Sequence, residues 1–199
     1  RMADSGLNKG TAGNLSVRSG DGFFITPTGM AYGRLIPDDI PFVNLDGSWE
    51  GERKPSSEWR FHRDLYAARP QAGAVLHAHS PYATSLACLR RDIPPFHYMI
   101  ARFGGDTVRC ADYASFGTQQ LSDNALSAMA GRNACLLANH GLLVFGRSLK
   151  QAFDLGVELE ALCEQYVLAR QVGEPVLLDA AEMQLMLEKF RSYGQQRTG

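Results

Sequence analysis

Three of the five histidines stand at the ends of apolar segments that the sequence predicts as strands. His77 and His79 close the segment AGAVLHAH, and His140 follows NACLLAN. Because side chains alternate along a strand, positions two apart project from the same face, so His77 and His79 can grip one cation. A third imidazole from another strand would complete a three-histidine site with an open position, as catalytic zinc sites have. The alternative is that the H-x-H spacing is accidental and each ring is satisfied separately.

The segment KPSSEWRFH adds a carboxylate and a possible anion site. Ser56 and Ser57 are predicted to cap a helix, and Glu58 is predicted to lie in its first turn. Hydroxyls and free N–H groups at the positive end of a helix can cradle a phosphate. The Gly-rich stretches 8–14 and 26–30 could supply further N–H donors. An ordinary capped helix and two tight turns would explain the same residues.

The elements that must position these groups alternate between strands and helices. Apolar alternation predicts strands, and the Asp-Gly pairs at 21–22 and 46–47 predict hairpin turns between the first three. The predicted strands are 13–18, 23–26, 41–45, 72–79 and two within 133–146 that are broken at 139–141. Because these runs do not follow a strict strand-helix-strand period, they predict an α/β fold with a central, largely antiparallel mixed sheet covered by helices.

Capping residues mark the predicted helices. One begins at the two serines and ends near Pro70, and another opens with Ser80 and Pro81. Capping-box spacings open two more, of about 24 and 14 residues. Their caps are Ser148 with Gln151 and Asp179 with Glu182, and their stops are Gly173 and Gly194. No G-x-G-x-x-G opens a helix, which argues against a Rossmann fold.

Composition excludes several classes of function. A formal net charge of −1 gives no global field for nucleic acid or an anionic membrane, so neither is an expected partner. The 199 residues predict one domain, 1–199, and the opening RMADSGLNKG looks like the tail of a truncated helix. The cysteines form no C-x-x-C pair and are expected to be buried reduced thiols, which predicts a cytoplasmic location. They are Cys88, Cys110, Cys135 and Cys163.

Eight ordered motifs carry a resemblance to a known family. They are GLNKGTAGN, ITPTGM, PSSEWRFH, HAHS, IPPFHYMIA, YASFGT, NHGLLV and LEKFRSYG. Together they cover nearly the whole chain, which resembles the class II aldolase/adducin family and is most similar to its branch that cleaves L-fuculose 1-phosphate. The resemblance implies a three-layer aldolase-type domain, assembled as a homotetramer with active sites at subunit interfaces.

The resemblance also implies roles for individual residues. Zinc, or another divalent ion, would be held by three histidines and by Glu58, which would also be the acid/base. The histidines are His77, His79 and His140. The phosphate pocket would comprise Asn14, Thr28, Gly29, Ser56 and Ser57. Tyr98, supplied across a subunit boundary, and Tyr193 would serve the aldehyde end. His62 is expected to form hydrogen bonds to a residue that holds the metal or at the surface, and His97 to be structural.

The implied reaction is reversible cleavage of a ketose 1-phosphate, preferably L-fuculose 1-phosphate, to dihydroxyacetone phosphate and L-lactaldehyde. A cation can stabilise the enediolate that forms, so no Schiff-base lysine is needed. The nearest alternative is an aldolase for 5-deoxyribulose or 5-methylthioribulose 1-phosphate. A ribulose-phosphate 4-epimerase of the same family is a second alternative. Such epimerases usually carry Asp where this chain has Glu58, which argues against it. A methylthioribulose-phosphate dehydratase and a metal-free, adducin-like binding module are weaker alternatives.

Overall fold

The computed structural model describes residues 2, 4–8 and 10–192, and within them an eight-stranded sheet forms the centre of the molecule. The strands are β1 Asn14–Ser19, β2 Gly22–Ile25, β3 Phe42–Asn44, β4 Trp49–Glu50, β5 Ala74–Ala78, β6 Cys110–Ala111, β7 Ala134–Leu137 and β8 Gly141–Gly146. Their order is β4-β3-β2-β1-β5-β8-β7-β6. Every neighbouring pair is antiparallel except β6 and β7. The predicted mixed, largely antiparallel sheet is therefore confirmed.

Helices cover both faces of the sheet. They are α1 Trp59–Ala68, α2 Pro81–Cys88, α3 Gln119–Ala128, α4 Leu149–Val172 and α5 Ala180–Ser192. Alternate residues of β5 feed two separate cores: Val75 packs with α1 and α3 on one face, whereas Leu76 packs with α2, α4 and α5 on the other. This division follows from the two-residue period of a strand. It produces the three layers that the sequence predicts.

The helix ends agree with the predicted caps except at α1. Ser148 Oγ accepts from the Gln151 N–H at 3.2 Å, and α4 has the predicted 24 residues. At α1 the capping position is Glu58, and its side chain makes no capping bond. The prediction that Ser56 and Ser57 cap this helix, with Glu58 inside its first turn, is wrong. The cause is a turn in which Ser56 Oγ accepts from the Glu58 N–H at 3.3 Å, one step before the helix begins.

Three smaller predictions meet the structure with different results. All four cysteines are free, but Cys88 is exposed and Cys110 only partly buried, so the expectation of four buried thiols is wrong for these two. Cys88 is the last residue of α2 and faces solvent there. Residues 4–6 form turns rather than the tail of a helix. The stop expected at Gly194 lies outside the described residues.

Of the described helices, none combines the length and apolar character that a membrane span requires.

Candidate active site

Four side chains from three parts of the fold meet at one end of β5. His77 is in β5 and His79 follows it, His140 lies in the turn between β7 and β8, and Glu58 immediately precedes α1. The Nε2 atoms of His77 and His79 are 3.0 Å apart. The Glu58 carboxylate lies 3.3 Å from His77 Nε2 and 3.1 Å from His140 Nε2. All four potential ligand atoms are within 4.8 Å of one another.

Sheet pairing explains why the histidines meet. β5 and β8 are antiparallel neighbours, with Ala78 opposite Leu142, so the end of one strand lies beside the start of the other. His77 Nδ1 is 2.8 Å from the Leu142 carbonyl, which can only accept, so Nδ1 carries the proton. His77 Nε2 then faces the centre of the cluster, while the other ring nitrogen donates to the backbone, as in metal-ligating histidines.

The donor set fits a divalent cation. Burial, together with the neighbouring His77 and His140, lowers the pKa of His79 to about 4, so its ring is neutral at pH 7. Glu58 Oε1 is buried, and apart from its approach to His140 it has no polar partner among the described residues. Such an unpaired carboxylate oxygen facing converging ring nitrogens is costly without a ligand. Three imidazoles and one carboxylate are ligands that zinc commonly takes in proteins.

Glu58 is ionised in this environment. Burial would raise the pKa of its carboxyl group, but the contacts with His77 and His140 outweigh burial and hold that pKa well below its usual range. The Asn14 side-chain amide also donates to Glu58 Oε2 at 2.9 Å. A carboxylate with so low a pKa is a weak base while both histidines contact it, so Glu58 can take up a proton only when these contacts loosen.

A cavity of about 320 Å³ opens beside the cluster. Its lining includes all five residues predicted to bind phosphate, namely Asn14, Thr28, Gly29, Ser56 and Ser57, and also Glu58, His79 and His140. The remaining wall contains three residues to which the sequence analysis gave no role: Tyr113, Ala114 and Phe116. They belong to the motif YASFGT, which the sequence analysis used only for the resemblance to a family.

The phosphate-type donors differ in availability. The N–H of Ser56 donates to the Thr26 carbonyl at 3.1 Å, and that of Thr28 donates to the Lys54 carbonyl at 3.1 Å. The N–H groups of Gly29 and Ser57 have no backbone partner among the described residues. These two N–H groups are therefore available to an anion, together with the hydroxyls of the lining residues and the second N–H of the Asn14 amide.

Residues 1–167 match the family described as the class II aldolase and adducin N-terminal domain. The chain belongs to this family. It is 58% identical over 189 residues to a 5-methylthioribulose-1-phosphate/5-deoxyribulose-1-phosphate aldolase of Rhodospirillum rubrum, covering 95% of this chain and 86% of the relative. It is 45% identical over 194 residues to an L-fuculose phosphate aldolase of Escherichia coli, covering 97% and 90%. A solved L-fuculose 1-phosphate aldolase aligns with a TM-score of 0.92 at 46% identity, covering 96% and 91%. The protein is thus a class II aldolase, a carbon–carbon lyase.

Of the two tyrosines predicted for the aldehyde end of this class II aldolase, Tyr98 does not line the cavity of its own chain. Tyr98 begins a 3-10 helix, Tyr98–Phe103, is 47% exposed and stacks on Phe190 of α5. A role across a subunit boundary stays a prediction, because the structure contains one chain. Tyr193 lies outside the described residues. His97 accepts from the Met99 N–H at 3.2 Å, which agrees with its expected structural role.

Proposed function

We propose that this class II aldolase cleaves a ketose 1-phosphate to dihydroxyacetone phosphate and a small aldehyde, with a zinc ion held by His77, His79 and His140. One observation carries the proposal: a single cavity is lined both by three members of the cluster, Glu58, His79 and His140, and by anion donors. A phosphorylated substrate held by those donors presents its carbonyl end to the cluster. The names of the relatives support the same substrate class.

The chemistry assigns separate tasks to the two parts of the cavity. Breaking the bond between the third and fourth carbons of the ketose leaves its electron pair on an enediolate. A bound divalent cation stabilises that negative charge. Ser57 and Thr28 hold the phosphate. In the direction of bond formation, ionised Glu58 takes a proton from dihydroxyacetone phosphate to leave the enediolate, and the Tyr98 hydroxyl of a neighbouring subunit in a homotetramer gives its proton to the oxygen formed on the fourth carbon. Solvent then carries the proton from Glu58 to Tyr98, and cleavage runs through the same steps in reverse.

Among the candidate ketose 1-phosphates, we favour those with an apolar group at the end remote from the phosphate. The lining of the cavity also includes the rings of Tyr113 and Phe116 and the methyl group of Ala114. A methyl or methylthio group can lie against these rings without leaving a polar group unpaired. With 58% identity to the Rhodospirillum rubrum enzyme, this favours 5-deoxyribulose and 5-methylthioribulose 1-phosphates. L-Fuculose 1-phosphate is the second candidate, supported by the match to solved L-fuculose 1-phosphate aldolase.

The deciding experiment compares kcat/KM for the three ketose 1-phosphates and identifies the aldehyde released by each. We expect the 5-deoxy and 5-methylthio substrates to exceed L-fuculose 1-phosphate by at least about tenfold, since one methylene or hydroxyl in an apolar pocket changes rates by that order. A reversed ranking would move the assignment to L-fuculose 1-phosphate. Absence of cleavage with all three would refute the proposed substrate class.

Changing Glu58→Gln tests the role of the carboxylate separately. The variant preserves shape, but its amide cannot accept the proton, so the exchange of a dihydroxyacetone phosphate proton with solvent deuterium should fall by about 10²–10⁴. Metal content should survive, because three imidazoles remain. The matched control is Glu52→Gln, which changes an exposed carboxylate outside the cavity. Exchange at the parent rate in the Glu58 variant would show that another group moves the proton.

A further inference from the structure

A buried row of hydrogen bonds leads from the interior of the fold to Glu58. Tyr66 Oη lies 2.8 Å from Ser16 Oγ, which lies 2.7 Å from His62 Nδ1. His62 Nε2 lies 2.5 Å from Asn14 Oδ1, and the Asn14 amide donates to Glu58 Oε2 at 2.9 Å. All five residues are buried, and His62 is completely inaccessible to solvent.

The row arises where two regular spacings meet. Asn14 and Ser16 are two apart on β1 and share one face of that strand. On α1 His62 and Tyr66 are four apart and lie on one side of the helix, and Glu58 stands four residues before His62, immediately ahead of the helix. A polar stripe of the helix therefore packs against a polar stripe of the strand, inside an otherwise apolar core.

The geometry fixes the direction of each bond. The NH₂ group of Asn14 donates to Glu58 Oε2, and the amide oxygen of Asn14, which can only accept, faces His62. His62 Nε2 must then be the donor. Burial lowers the pKa of His62 to about 3, so the ring is neutral and carries only this one proton. His62 Nδ1 consequently accepts from the Ser16 hydroxyl, which in turn accepts from Tyr66.

We propose that His62 is a positioning residue for the proton transfer: by fixing the orientation of the Asn14 amide, it anchors Glu58 Oε2 and leaves Oε1 as the oxygen that carries the proton. The inference rests on the proposed function of Glu58. Two observations agree with it. Oε2 is hydrogen-bonded to Asn14, whereas Oε1 has only the approach to His140. Moreover, the Asn14 amide oxygen faces His62 and one of its N–H groups donates to Glu58. Only the second N–H of Asn14 remains for the cavity, so the main role of this side chain is to hold Glu58.

Two substitutions of His62 separate positioning from packing. In His62→Gln the side-chain NH₂ can reach the place of the imidazole Nε2 and donate to Asn14, whereas His62→Leu fills a similar volume without a donor. We expect His62→Leu to slow the exchange of the dihydroxyacetone phosphate proton about 10–100-fold, the range for removing a supporting hydrogen bond at such a site. His62→Gln should recover most of that loss. KM for the ketose phosphate and metal content should change less than about threefold in both.

A second readout is independent of metal and turnover. Nitrogen-15 NMR of histidine-labelled, metal-free protein should show His62 protonated at Nε2 in the parent, and Ser16→Ala should not change that tautomer, because Asn14 still accepts. Protonation at Nδ1 would overturn the proposal. So would equal exchange rates in His62→Leu and the parent, or equal losses in the Leu and Gln variants. If His62→Leu does not fold, the tautomer and the Gln variant decide.

The failure of this inference differs from that of the proposed function. If Glu58→Gln retains proton exchange, the carboxylate is not the base and the proposed function fails. If Glu58→Gln loses exchange while His62→Leu keeps it, Glu58 is the base and only the positioning role of His62 is refuted.

Discussion

The carboxylate of Glu160 connects α4 to the beginning of α2, directly after the histidine strand. It accepts from the Ser80 hydroxyl at 2.6 Å, the Tyr82 N–H at 2.8 Å and the Ala83 N–H at 2.9 Å. The N–H groups of Tyr82 and Ala83 lie in the first turn of α2, where backbone N–H groups have no acceptor within the helix. The helix dipole also favours an anion at this end. Glu160 therefore caps α2 from another helix, and α2 begins two residues after His79.

Removing this cap should measurably destabilise the fold. A hydrogen bond to a charged group contributes about 1.5–3 kcal/mol when buried, but Glu160 is only half-buried and water can replace part of the loss. Loss of an ordinary N-cap costs about 0.5–2 kcal/mol. With three bonds lost, we expect Glu160→Ala to lower the free energy of unfolding by about 2–3 kcal/mol. Glu160→Gln keeps one accepting oxygen and should lose about half as much.

Urea unfolding of metal-free protein, at one fixed protein concentration, measures both losses. The matched control is Asp154→Ala in the same helix, which removes an exposed pair with Lys150 at i and i+4. That pair should contribute no more than about 0.5 kcal/mol. If Glu160→Ala costs no more than Asp154→Ala, the three inter-helix hydrogen bonds do not stabilise the fold, and the account of how α2 is held is wrong.

Three further outcomes are expected. His79→Ala should remove most of the bound zinc and nearly all turnover, and a chelator-stripped parent should be inactive until metal returns; full activity without metal would contradict the site. Ser57→Ala should weaken binding of the phosphorylated ketose roughly ten- to hundredfold, since a donor to a charged group contributes about 1.5–3 kcal/mol, and equal use of the unphosphorylated ketose would contradict the assignment. The folded pKa of His62, about 3, lies below its usual 6.5, so the unfolded state takes up the proton first and stability falls as pH drops from 6.5 towards 3. At pH 5 this loss is about 2 kcal/mol in metal-free protein, and it should be absent in His62→Gln.

The metal cluster could be predicted because it depends on short-range rules. The two-residue period of a strand places His77 and His79 on one side, and the break at 139–141 ends one strand beside the next. The structure brings both to one end of the sheet by pairing β5 with β8. Spacing alone does not select that pairing. The motifs shared with a family, rather than spacing, indicated that His140 joins His77 and His79. The same resemblance singled out Glu58.

Several other elements of the fold were not predicted from the sequence. β4 and β6 have two residues each, too few to show a period, and they are edge strands of the sheet. α3 was also missed, although its signal was present: Thr118 caps it by accepting from the Leu121 N–H at 3.2 Å. The aromatic wall at Tyr113 and Phe116 was missed because exposed rings between elements have no periodicity.

The backbone that supports His140 shows what spacing could not reveal. Among the described residues other than glycine, positive φ occurs at Arg90, with 52°, and at Asn139, with 53°. Asn adopts a positive φ readily, but Arg does so rarely, so the backbone at Arg90 is strained. The two residues compensate each other: Arg90 Nε donates to Asn139 Oδ1 at 2.8 Å, and the Asn139 N–H donates to the Ala87 carbonyl at 3.0 Å. The Arg90 guanidinium also lies over the Tyr113 ring at 5.7 Å. The end of α2 thus fixes the turn that carries His140 and one ring of the cavity wall, through a contact between residues 49 apart in sequence.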